Sequence, residues 1–419
     1  MNIKNILLTA VALTPFLSAC NLADGIGDDV QNTMGGDGAN VVYMSSIKGS
    51  QAVGVLASDQ GFTQVVTPRL ATPAAEDTKV TIEVDPSALE AYNKANNLAL
   101  VAIQAEDLIL ANSDGIEGKG KVEATIKKGQ LSTPVVVTMK SIDSTKYPYS
   151  AKLAAPITIS GASNKVKVLS DPKSAFITLN RKIVTSVLHV EKSLGNGYTL
   201  NFAPKEDYKN LTEWTFQYIV QVQNIHGNNQ TLGSLSGGHG FYNRVSQTSG
   251  LQCKSEGRDG DDTWTLKPVK QGEWLHVSYV YRQNGLAGNI SFYLNGELQR
   301  TFTTSAMTVE KAGWGFGNSN VADYYLREVR FWNRALSEAE IRDRYYLPET
   351  KDAPGLEACF PLTRESYDEE KQAFQDIMGN WTWSITASDG AQWGFTDYVV
   401  FPATALTIEA PQPSEEPGA

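Results

Sequence analysis

Cysteine and histidine are scarce in this chain. Its 419 residues include three cysteines, Cys20, Cys253 and Cys359, and four histidines. No C-x-x-C pair and no shared histidine spacing occurs, so the sequence gives no sign of a zinc or redox motif. Cys253 and Cys359 lie far apart in the sequence, which leaves open either one disulfide or two buried free thiols.

Long apolar runs and clustered basic residues are also missing. Beyond the first twenty residues no apolar stretch approaches the roughly 20 residues that a bilayer-crossing helix needs. Lysine and arginine are scattered and the formal charge is −10, whereas phosphate backbones are bound by clustered basic residues. These absences argue against a second membrane segment and against nucleic acid as a partner.

The start of the chain has the layout of an export signal. Lys4 is followed by an apolar run from Ile6 to Leu17 and then by small residues. Leu17-Ser18-Ala19-Cys20 resembles the bacterial lipobox, which implies that residues 1–19 are removed and that Cys20 is lipidated. The alternative is an ordinary signal peptide with a chance cysteine. Cleavage removes Lys4 and makes the mature chain more acidic by one charge.

Residues 20–39 are rich in glycine, aspartate and asparagine and contain few bulky apolar side chains. Such a composition does not fold, so this segment is predicted to be a flexible tether. Its root-mean-square reach is roughly 25 Å. Asp24, Asp28 and Asp29 resemble the acidic signal that sends some Bacteroidetes-type lipoproteins to the outer face, which implies a location at the cell surface on the outer membrane.

Residues 40–181 contain short β-branched runs separated by glycine, proline and aspartate, which predicts an all-β sandwich. One short helix is expected, with Asp85 as its cap, Pro86 at its first position and Asn96-Asn97 at its end. The helix VDPSALEAYNKAN, the hairpin GKGKVEATIKKG and the strand APITIS resemble the N-terminal domain of unknown function that heads many Bacteroidetes glycan-utilisation lipoproteins. That resemblance implies a spacer or platform.

Residues 182–403 form a second strand-rich body. In GEWLHVSYVYR, alternation places one set of side chains on each face of a strand. The two sets are Leu275, Val277, Tyr279 and Tyr281 on one face and Trp274, His276, Ser278 and Val280 on the other. Asn295-Gly296 is typical of a type I′ hairpin turn.

A helix start is predicted in the segment RALSEAEI. Ser337 is the expected cap, Glu340 completes a capping box, and Leu336 with Ile341 forms a hydrophobic staple. The motifs W-L-H-V-S-Y, F-Y-L-N-G and V-R-F-W-N-R-A-L-S-E-A-E-I resemble the laminin G-like branch of the concanavalin A-like lectin and glucanase fold. The resemblance implies a jelly-roll β-sandwich. Residues 404–419 are expected to be a disordered tail.

Catalytic patterns are absent from the second body. The glucanases of this fold carry alternating acids as E-x-D-x-x-E, and no such run occurs. Gly233-Ser234-Leu235-Ser236-Gly237 lacks the spacing of a nucleophile elbow. We therefore expect a protein that is not an enzyme. Two alternatives remain: a hydrolase whose acid pair comes from separate loops, for example Asp323 with Glu256, and a protein-binding adhesion module.

Sugar recognition needs an aromatic face for the C–H side of a pyranose and polar groups for its hydroxyls. The segment AGWGFGNSNVADYY supplies the first predicted set, and the glycine-rich segment SLSGGHGFYNRVSQ supplies the second. The predicted glycan-binding residues are Trp314, Asn318, Asn320, Asp323 and Tyr324 from the first segment and His239, Tyr242, Asn243 and Arg244 from the second. A core tryptophan followed by a polar turn, and a loop without ligand, are the alternatives.

Other aromatic residues and histidines are expected to be structural. Trp214, Trp274 and Trp332 are predicted in the core, Trp381 and Trp383 are either core rings or a stacking platform, and His276 is expected to be a hydrogen-bonded strand residue. Asp259, Asp261 and Asp262 invite a calcium assignment, but the twelfth position of such a loop is Lys270 where an EF-hand requires glutamate. A hairpin turn is the better interpretation, and no cofactor is expected. The laminin G-like resemblance implies at most a weak calcium site at a loop rim, with Asp323 or this cluster.

Together the resemblances imply a cell-surface lipoprotein that captures oligosaccharides for a polysaccharide-utilisation system. Host N-glycans and mucin glycans are the implied ligands, and a glycan importer and hydrolases are the implied neighbours.

Overall fold

The computed structural model describes residues 40–47, 49–57, 61–96, 98–192, 198–201, 208, 210–225, 230–236, 241–246, 248–255, 260–307, 309, 313–316, 323–384 and 392–409. Cys20, the signal peptide and the tether lie outside this range. Among the described residues, no helix has the length and apolar character needed to cross a membrane.

The first domain is built almost entirely from short strands. They are β1 (Val41–Met44), β2 (Ala52–Ala57), β3 (Phe62–Val66), β4 (Pro68–Leu70), β5 (Thr78–Val84), β6 (Val101–Ala102), β7 (Ile109–Ala111), β8 (Glu117–Lys119), β9 (Lys121–Ile126), β10 (Val135–Met139), β11 (Leu153–Ala162), β12 (Lys167–Val168) and β13 (Ser174–Arg181). They form sheets in the orders β2-β13-β11-β5-β9, with β6 beside β11, β3-β10-β7-β8, and β12-β1-β4. Their apolar faces enclose one core, as the β-branched runs predict.

The predicted helix of the first domain is α1, Pro86–Asn96. Asp85 accepts hydrogen bonds through Oδ1 from the backbone N–H groups of Ser87 at 3.1 Å and Ala88 at 3.4 Å. Asp85 therefore caps the helix, and Pro86 occupies the first turn, where no intrahelical donor is required.

The second domain contains sixteen of the described strands. They are β14 (Ile183–Lys192), β15 (Tyr198–Asn201), β16 (Glu213–Val222), β17 (Gln230–Ser236), β18 (Phe241–Ser246), β19 (Gly250–Ser255), β20 (Trp274–Asn284), β21 (Ala287–Leu294), β22 (Glu297–Ser305), β23 (Gly313–Phe316), β24 (Tyr324–Trp332), β25 (Leu356–Phe360), β26 (Tyr367–Asp368), β27 (Ala373–Gln375), β28 (Thr382–Ser384) and β29 (Gln392–Phe401). Most belong to a large sheet, β22-β21-β20-β16-β24-β14-β29 with β25 beside β24, and a small sheet, β15-β23-β17-β18-β19. β26, β27 and β28 make a separate three-stranded sheet.

Alternation along β20 places its side chains as the sequence predicts. Leu275, Val277, Tyr279 and Tyr281 belong to the main core of the second domain, together with Trp214, Trp381 and Trp383. Trp274 and Val280 face the opposite side of the large sheet, where they join two smaller apolar clusters. We call this opposite side the outer face of the large sheet.

Two local motifs of the second domain are confirmed. Asn295 and Gly296 both have positive φ, 50° and 81°, as a type I′ turn requires. Helix α2, Glu338–Arg344, begins with the predicted capping box between Ser337 and Glu340. Leu336 and Ile341 are buried together on the outer face of the large sheet, so α2 covers part of that face.

A buried ion cluster joins α2 to the large sheet. Glu328 accepts from Arg330 Nε at 3.1 Å and lies 3.4 Å from Arg327 Nη2. Glu349, just beyond α2, pairs with Arg344 and lies 3.6 Å from Arg330 Nη1. Every one of these groups except Arg344 is almost fully buried, so removing one partner would leave an uncompensated buried charge.

The two domains meet where β13 ends at Arg181 and β14 begins at Ile183. Arg181 is buried, donates to the backbone oxygen of Tyr147 at 2.6 Å, and lies 3.8 Å from the centre of the Tyr149 ring. Tyr149 in turn packs against an apolar cluster of the second domain. A residue of the first domain therefore contributes to packing in the second.

The segment after β29 differs from the predicted disordered tail. Ala405 forms a bridge with Glu273, Ile408 forms one with Val399, and Glu409 pairs with Lys182. The segment is short and continues into the proline-rich end of the chain, so its composition did not reveal these contacts, although Leu406 packs against an apolar cluster of the second domain. The tail is therefore part of the folded domain as far as Glu409.

Candidate functional site

The structure divides the predicted glycan-binding residues between two sheets. Tyr242, Asn243 and Arg244 lie in β18 of the small sheet, whereas Asp323 and Tyr324 lie at the start of β24 in the large sheet. His239, Asn318 and Asn320 fall outside the described residues. The backbone of Trp314 pairs with Leu200 and Leu235, and its side chain is not among those described.

Two of these residues point inward. Asn243 is 0 % exposed and its Oδ1 accepts a hydrogen bond from the Tyr218 hydroxyl at 2.8 Å. Tyr324 is 2 % exposed and belongs to the main core. Assigning them to solvent-facing positions was wrong, because both segments were interpreted as loops and the alternation of a strand was not applied to them. Neither side chain has surface to offer a sugar.

Tyr242 and Arg244 belong to a half-buried patch on the outward side of the small sheet. Tyr242 pairs across the ladder with Lys254, and Arg244 pairs with Gln252, whose backbone also forms a bridge with Trp264. Cross-strand partners share a face, so these residues lie side by side. We call Tyr242, Arg244, Lys254 and Trp264 the small-sheet surface.

Each aromatic ring of the small-sheet surface has a cation near it. The Arg244 guanidinium lies 5.6 Å from the centre of the Trp264 ring, and Lys254 Nζ lies 5.8 Å from that of Tyr242. Gln252, fully buried below them, accepts from Arg244 Nε and donates to Thr263 Oγ1 at 2.8 Å. The arrangement combines two ring faces with hydrogen-bond donors, which is the combination that sugar C–H groups and hydroxyls can use.

Asp323 takes part in a second cluster, at the edge of the large sheet formed by strand ends, where β14 ends and β24 begins. Its Oδ1 lies 2.9 Å from His189 Nε2, and its backbone oxygen accepts from Gln223 N–H at 2.9 Å. The His189 ring stacks on Tyr325 with centroids 4.0 Å apart. The carboxylate remains 42 % exposed, so it can still accept hydrogen bonds from a ligand.

Electrostatics at this edge come from two carboxylates. Glu191 Oε1 lies 3.8 Å from His189 Nδ1, on the ring nitrogen that Asp323 does not contact. Burial raises the pKa of Tyr325, and the nearby carboxylates add to that rise, so its hydroxyl is a neutral donor at ordinary pH. His189 therefore lies between two carboxylates, those of Asp323 and Glu191, and both carboxylates are exposed to solvent.

In the described part of the chain, no group of three or more histidine, cysteine, aspartate or glutamate side chains is arranged to hold a metal ion. Asp261 and Asp262 begin a short 3₁₀ helix, Asp261–Thr263, where the sequence predicted a hairpin turn. Asp259, and Glu256 of the alternative acid pair, fall outside the described residues.

Two β-sandwich domains in tandem, the second with a large and a small sheet around one core, define the class of this protein. Residues 195–342 match the family model of the concanavalin A-like lectin/glucanases superfamily, so the chain carries a domain of that superfamily. Residues 38–166 match a second family model, described as an N-terminal domain. The comparison with curated proteins gives no match.

Solved structures resemble the chain at low identity. A proposed carbohydrate-binding protein from Bacteroides ovatus is 16 % identical, covers 88 % of this chain and 100 % of its own, and has a TM-score of 0.53. EndoBT-3987 from Bacteroides thetaiotamicron, solved with a Man5GlcNAc product, is 19 % identical over 33 % of this chain and 31 % of its own, with a TM-score of 0.26. A heptameric SAP-like pentraxin from Limulus polyphemus is 14 % identical over 50 % of this chain and 94 % of its own, with a TM-score of 0.28. The first of these shows a shared fold over nearly the whole chain.

Proposed function

We propose that this protein is a carbohydrate-binding lipoprotein of the cell surface. The observation that carries the proposal is the small-sheet surface, where Tyr242 and Trp264 sit beside two cationic donors on a lectin-type domain. Aromatic faces give a sugar its apolar contact, and the adjacent donors serve its hydroxyls. The likeness to a proposed carbohydrate-binding protein, over 88 % of this chain, supports the same class.

The rest of the chain supports a role in capture. A lipid on Cys20, a tether over residues 20–39 and the first domain as a spacer would hold the second domain away from the outer membrane. The ligands we propose are oligosaccharides of host N-glycan or mucin type, passed to a neighbouring importer and hydrolases. This ligand class rests on the resemblance of the first domain to those of glycan-utilisation lipoproteins.

Glycan binding can be measured on the mature chain carrying Cys20→Ser. An array of N-glycans, mucin glycans and plant oligosaccharides identifies ligands, and calorimetry gives their affinities. We expect Trp264→Ala to weaken the best ligand about tenfold, about 1.4 kcal/mol, because a stacked ring is lost. Trp314→Ala, from the first predicted set, is expected to cost more than about 1 kcal/mol if the site extends to that strand.

Leu286→Ala is the matched control, since Leu286 is an apolar side chain 97 % exposed in the turn between β20 and β21. It should bind like the parent. Unchanged affinity in a folded Trp264→Ala protein would exclude the small-sheet surface as the site. Absence of binding across the array contradicts carbohydrate capture, and release of reducing ends identifies a hydrolase instead.

A further inference from the structure

A cavity lies on the outer face of the large sheet, and none of its lining residues belongs to the small-sheet surface. Its volume is about 220 Å³. The floor is formed by strand residues, one side by a hairpin turn and the end of α2, and the other side by the segment that follows β29. The lining residues are Ile219, Glu273, Trp274, His276, Asn295, Tyr345, Tyr346, Phe401, Pro402, Ala403 and Thr404.

Backbone contacts hold the walls of this cavity in place. Asn295 Oδ1 accepts from the His276 N–H at 2.7 Å, and Asn295 Nδ2 donates to the Trp274 backbone oxygen at 3.3 Å. Trp274 N–H donates to the Thr404 oxygen at 2.8 Å. A Cβ on Gly296 would lie 3.0 Å from Arg342 Cα, so the turn fits closely against α2 only with glycine there. The cavity is therefore preformed.

Several buried polar atoms of the cavity residues have no hydrogen-bond partner among the described residues. They include Nε1 of Trp274 and both ring nitrogens of His276. His276 is 2 % exposed and is a buried strand residue, as expected, but its ring lacks the hydrogen bonds expected of a satisfied one. Buried polar atoms are paired in the great majority of folded proteins, and an unpaired group raises the free energy of the fold. Trp274 and His276 both line the cavity, but these atoms have almost no accessible surface, so a molecule in the cavity would supply the missing partners after a small shift of the two side chains.

The cavity is uncharged at His276. Burial lowers the pKa of this histidine well below its usual range, and the cations Arg330 and Arg327 lower it further. A neutral imidazole has one donor and one acceptor nitrogen, and the Trp274 indole is a donor. Arg327 Nη2 and Arg330 Nε contact Glu328, whereas Nε and Nη1 of Arg327 have no hydrogen-bond partner among the described residues. Glu273 lies 3.5 Å from Lys270. The unsatisfied groups of Trp274 and His276 are an indole N–H and a neutral imidazole, which suit hydroxyl partners.

Aromatic rings supply the apolar part of the walls. The centre of the Phe401 ring lies 4.8 Å from that of Trp274, and the centre of Tyr345 lies 5.7 Å from that of His276. Rings beside polar groups suit a ligand with one apolar face and hydroxyls at its edge. The volume of about 220 Å³ equals roughly seven waters and is below the range of about 300–1,000 Å³ usual for larger ligands.

We propose that this cavity is a binding site for a single neutral, hydroxyl-bearing ring of the size of one monosaccharide. Because it has room for one ring and is separate from the small-sheet surface, it would accept the end of a glycan or a free sugar and not the middle of a chain. The proposal stands whether or not the small-sheet surface binds glycan.

The test uses the mature chain with Cys20→Ser and a set of free sugars: glucose, galactose, mannose and N-acetylglucosamine, with glucuronate as the charged comparison. Ligand-observed NMR and calorimetry give affinities, and thermal melts with and without sugar give stabilisation. We expect at least one neutral sugar to bind and glucuronate to bind at least tenfold more weakly.

Trp274→Phe keeps an aromatic ring in the cavity and removes the unpaired N–H together with part of the indole. We expect it to weaken the sugar at least fivefold, and a thermal melt of the free variant confirms that it remains folded despite the smaller buried ring. His276→Asn is the second variant and should also lose affinity. Trp264→Ala should retain the free-sugar affinity, which separates this site from the small-sheet surface.

A protein that binds none of the neutral sugars overturns the proposal, as does one that binds glucuronate equally well. Equal affinity in Trp274→Phe and the parent also contradicts it. A crystal structure grown with the sugar that shows only ordered waters in the cavity would assign the unpaired atoms to solvent.

Discussion

Cys253 and Cys359 lie on different elements and are both buried free thiols. Cys253 belongs to the main core, and Cys359 packs against the underside of α2. Burial raises the pKa of both thiols well above the usual value. Because the thiolate is the reactive form, we expect both residues to be inert in the folded protein.

Thiol labelling of the Cys20→Ser chain tests this expectation. Under native conditions neither residue should react with a thiol reagent within the time in which an exposed cysteine, introduced as Leu286→Cys, is fully labelled. After unfolding, two thiols should react. A count of zero after unfolding without reductant would mean that the two cysteines form a disulfide.

Residue-level prediction succeeded where alternation along one strand was enough. Alternation separated Trp274 and His276 from the set that begins with Leu275, and Trp274 is buried in a cluster other than the main core that contains Leu275. Their cavity could not be predicted, because Phe401 and Tyr345 reach it from segments far away in the sequence. Asn243 and Tyr324 were misplaced because glycine-rich or polar surroundings hid the strand that carries each of them.

Helix α2 depends on Glu340 more than on its neighbours. Its carboxylate accepts from Ser337 N–H at 2.8 Å and from Arg334 Nη2 at 2.7 Å. Burial alone would raise the pKa of Glu340, but the hydrogen bonds from Arg334 and Ser337 outweigh it and lower that pKa to about 2. A folded-state pKa below the ordinary value of 4.5 means that the carboxylate stabilises the fold above about pH 4.5 and less as the pH falls toward 2.

We expect Glu340→Ala to lower the free energy of unfolding by about 1–2 kcal/mol at pH 7, near the cost of a lost cap, because partial exposure screens the ion pair with Arg334. Urea unfolding between pH 7 and pH 3 should show the difference from the parent shrinking below about pH 4.5. Glu338→Ala, in the same first turn, is the control and should change stability by less than about 0.5 kcal/mol. A difference that stays constant with pH would contradict the role of the carboxylate.

The sequence predicted well those elements that depend on residues close to one another in the chain. The capping box of α2, the cap of α1 and the Asn295-Gly296 turn each involve residues within a few positions of one another. The order of strands in the sheets was not predictable in the same way, since it depends on pairings such as β14 with β29, which join distant parts of the chain. The bridges of Ala405 and Ile408 were missed for the same reason.

At the scale of the whole molecule, Arg181 lies at the junction of the two domains. It is the last residue of β13, and its guanidinium contacts Tyr147 and Tyr149 of the first domain close to the apolar cluster of the second. We expect Arg181→Ala to lower the free energy of unfolding by about 2–4 kcal/mol, because a buried carbonyl loses its donor and a ring loses its cation.

Urea unfolding together with hydrogen exchange measures this effect. Exchange should become faster in β13 and in the residues around Tyr346, on both sides of the junction. Arg69→Ala, which changes a half-buried arginine in β4, is the control and should leave the junction unaffected. Exchange that increases only in the first domain would show that Arg181 stabilises that domain alone.

Two β bodies and their class were predictable from strand spacing and three motifs. The junction was not, because Tyr149 and Arg181 carry no pattern that distinguishes them from surface residues. Their packing becomes visible only when both domains are present together.

The pairing of residues 405–409 with Glu273, Val399 and Lys182 has a practical consequence for anyone who shortens or tags this chain. A truncation at residue 403, where composition alone would place the domain end, removes Thr404 from the cavity wall and with it the backbone oxygen that accepts from the Trp274 N–H. An affinity tag joined after residue 403 would take the place of residues 405–409, and their bridges would be lost. A shortened protein intended for sugar-binding measurements should therefore extend through Glu409, with any tag placed beyond it.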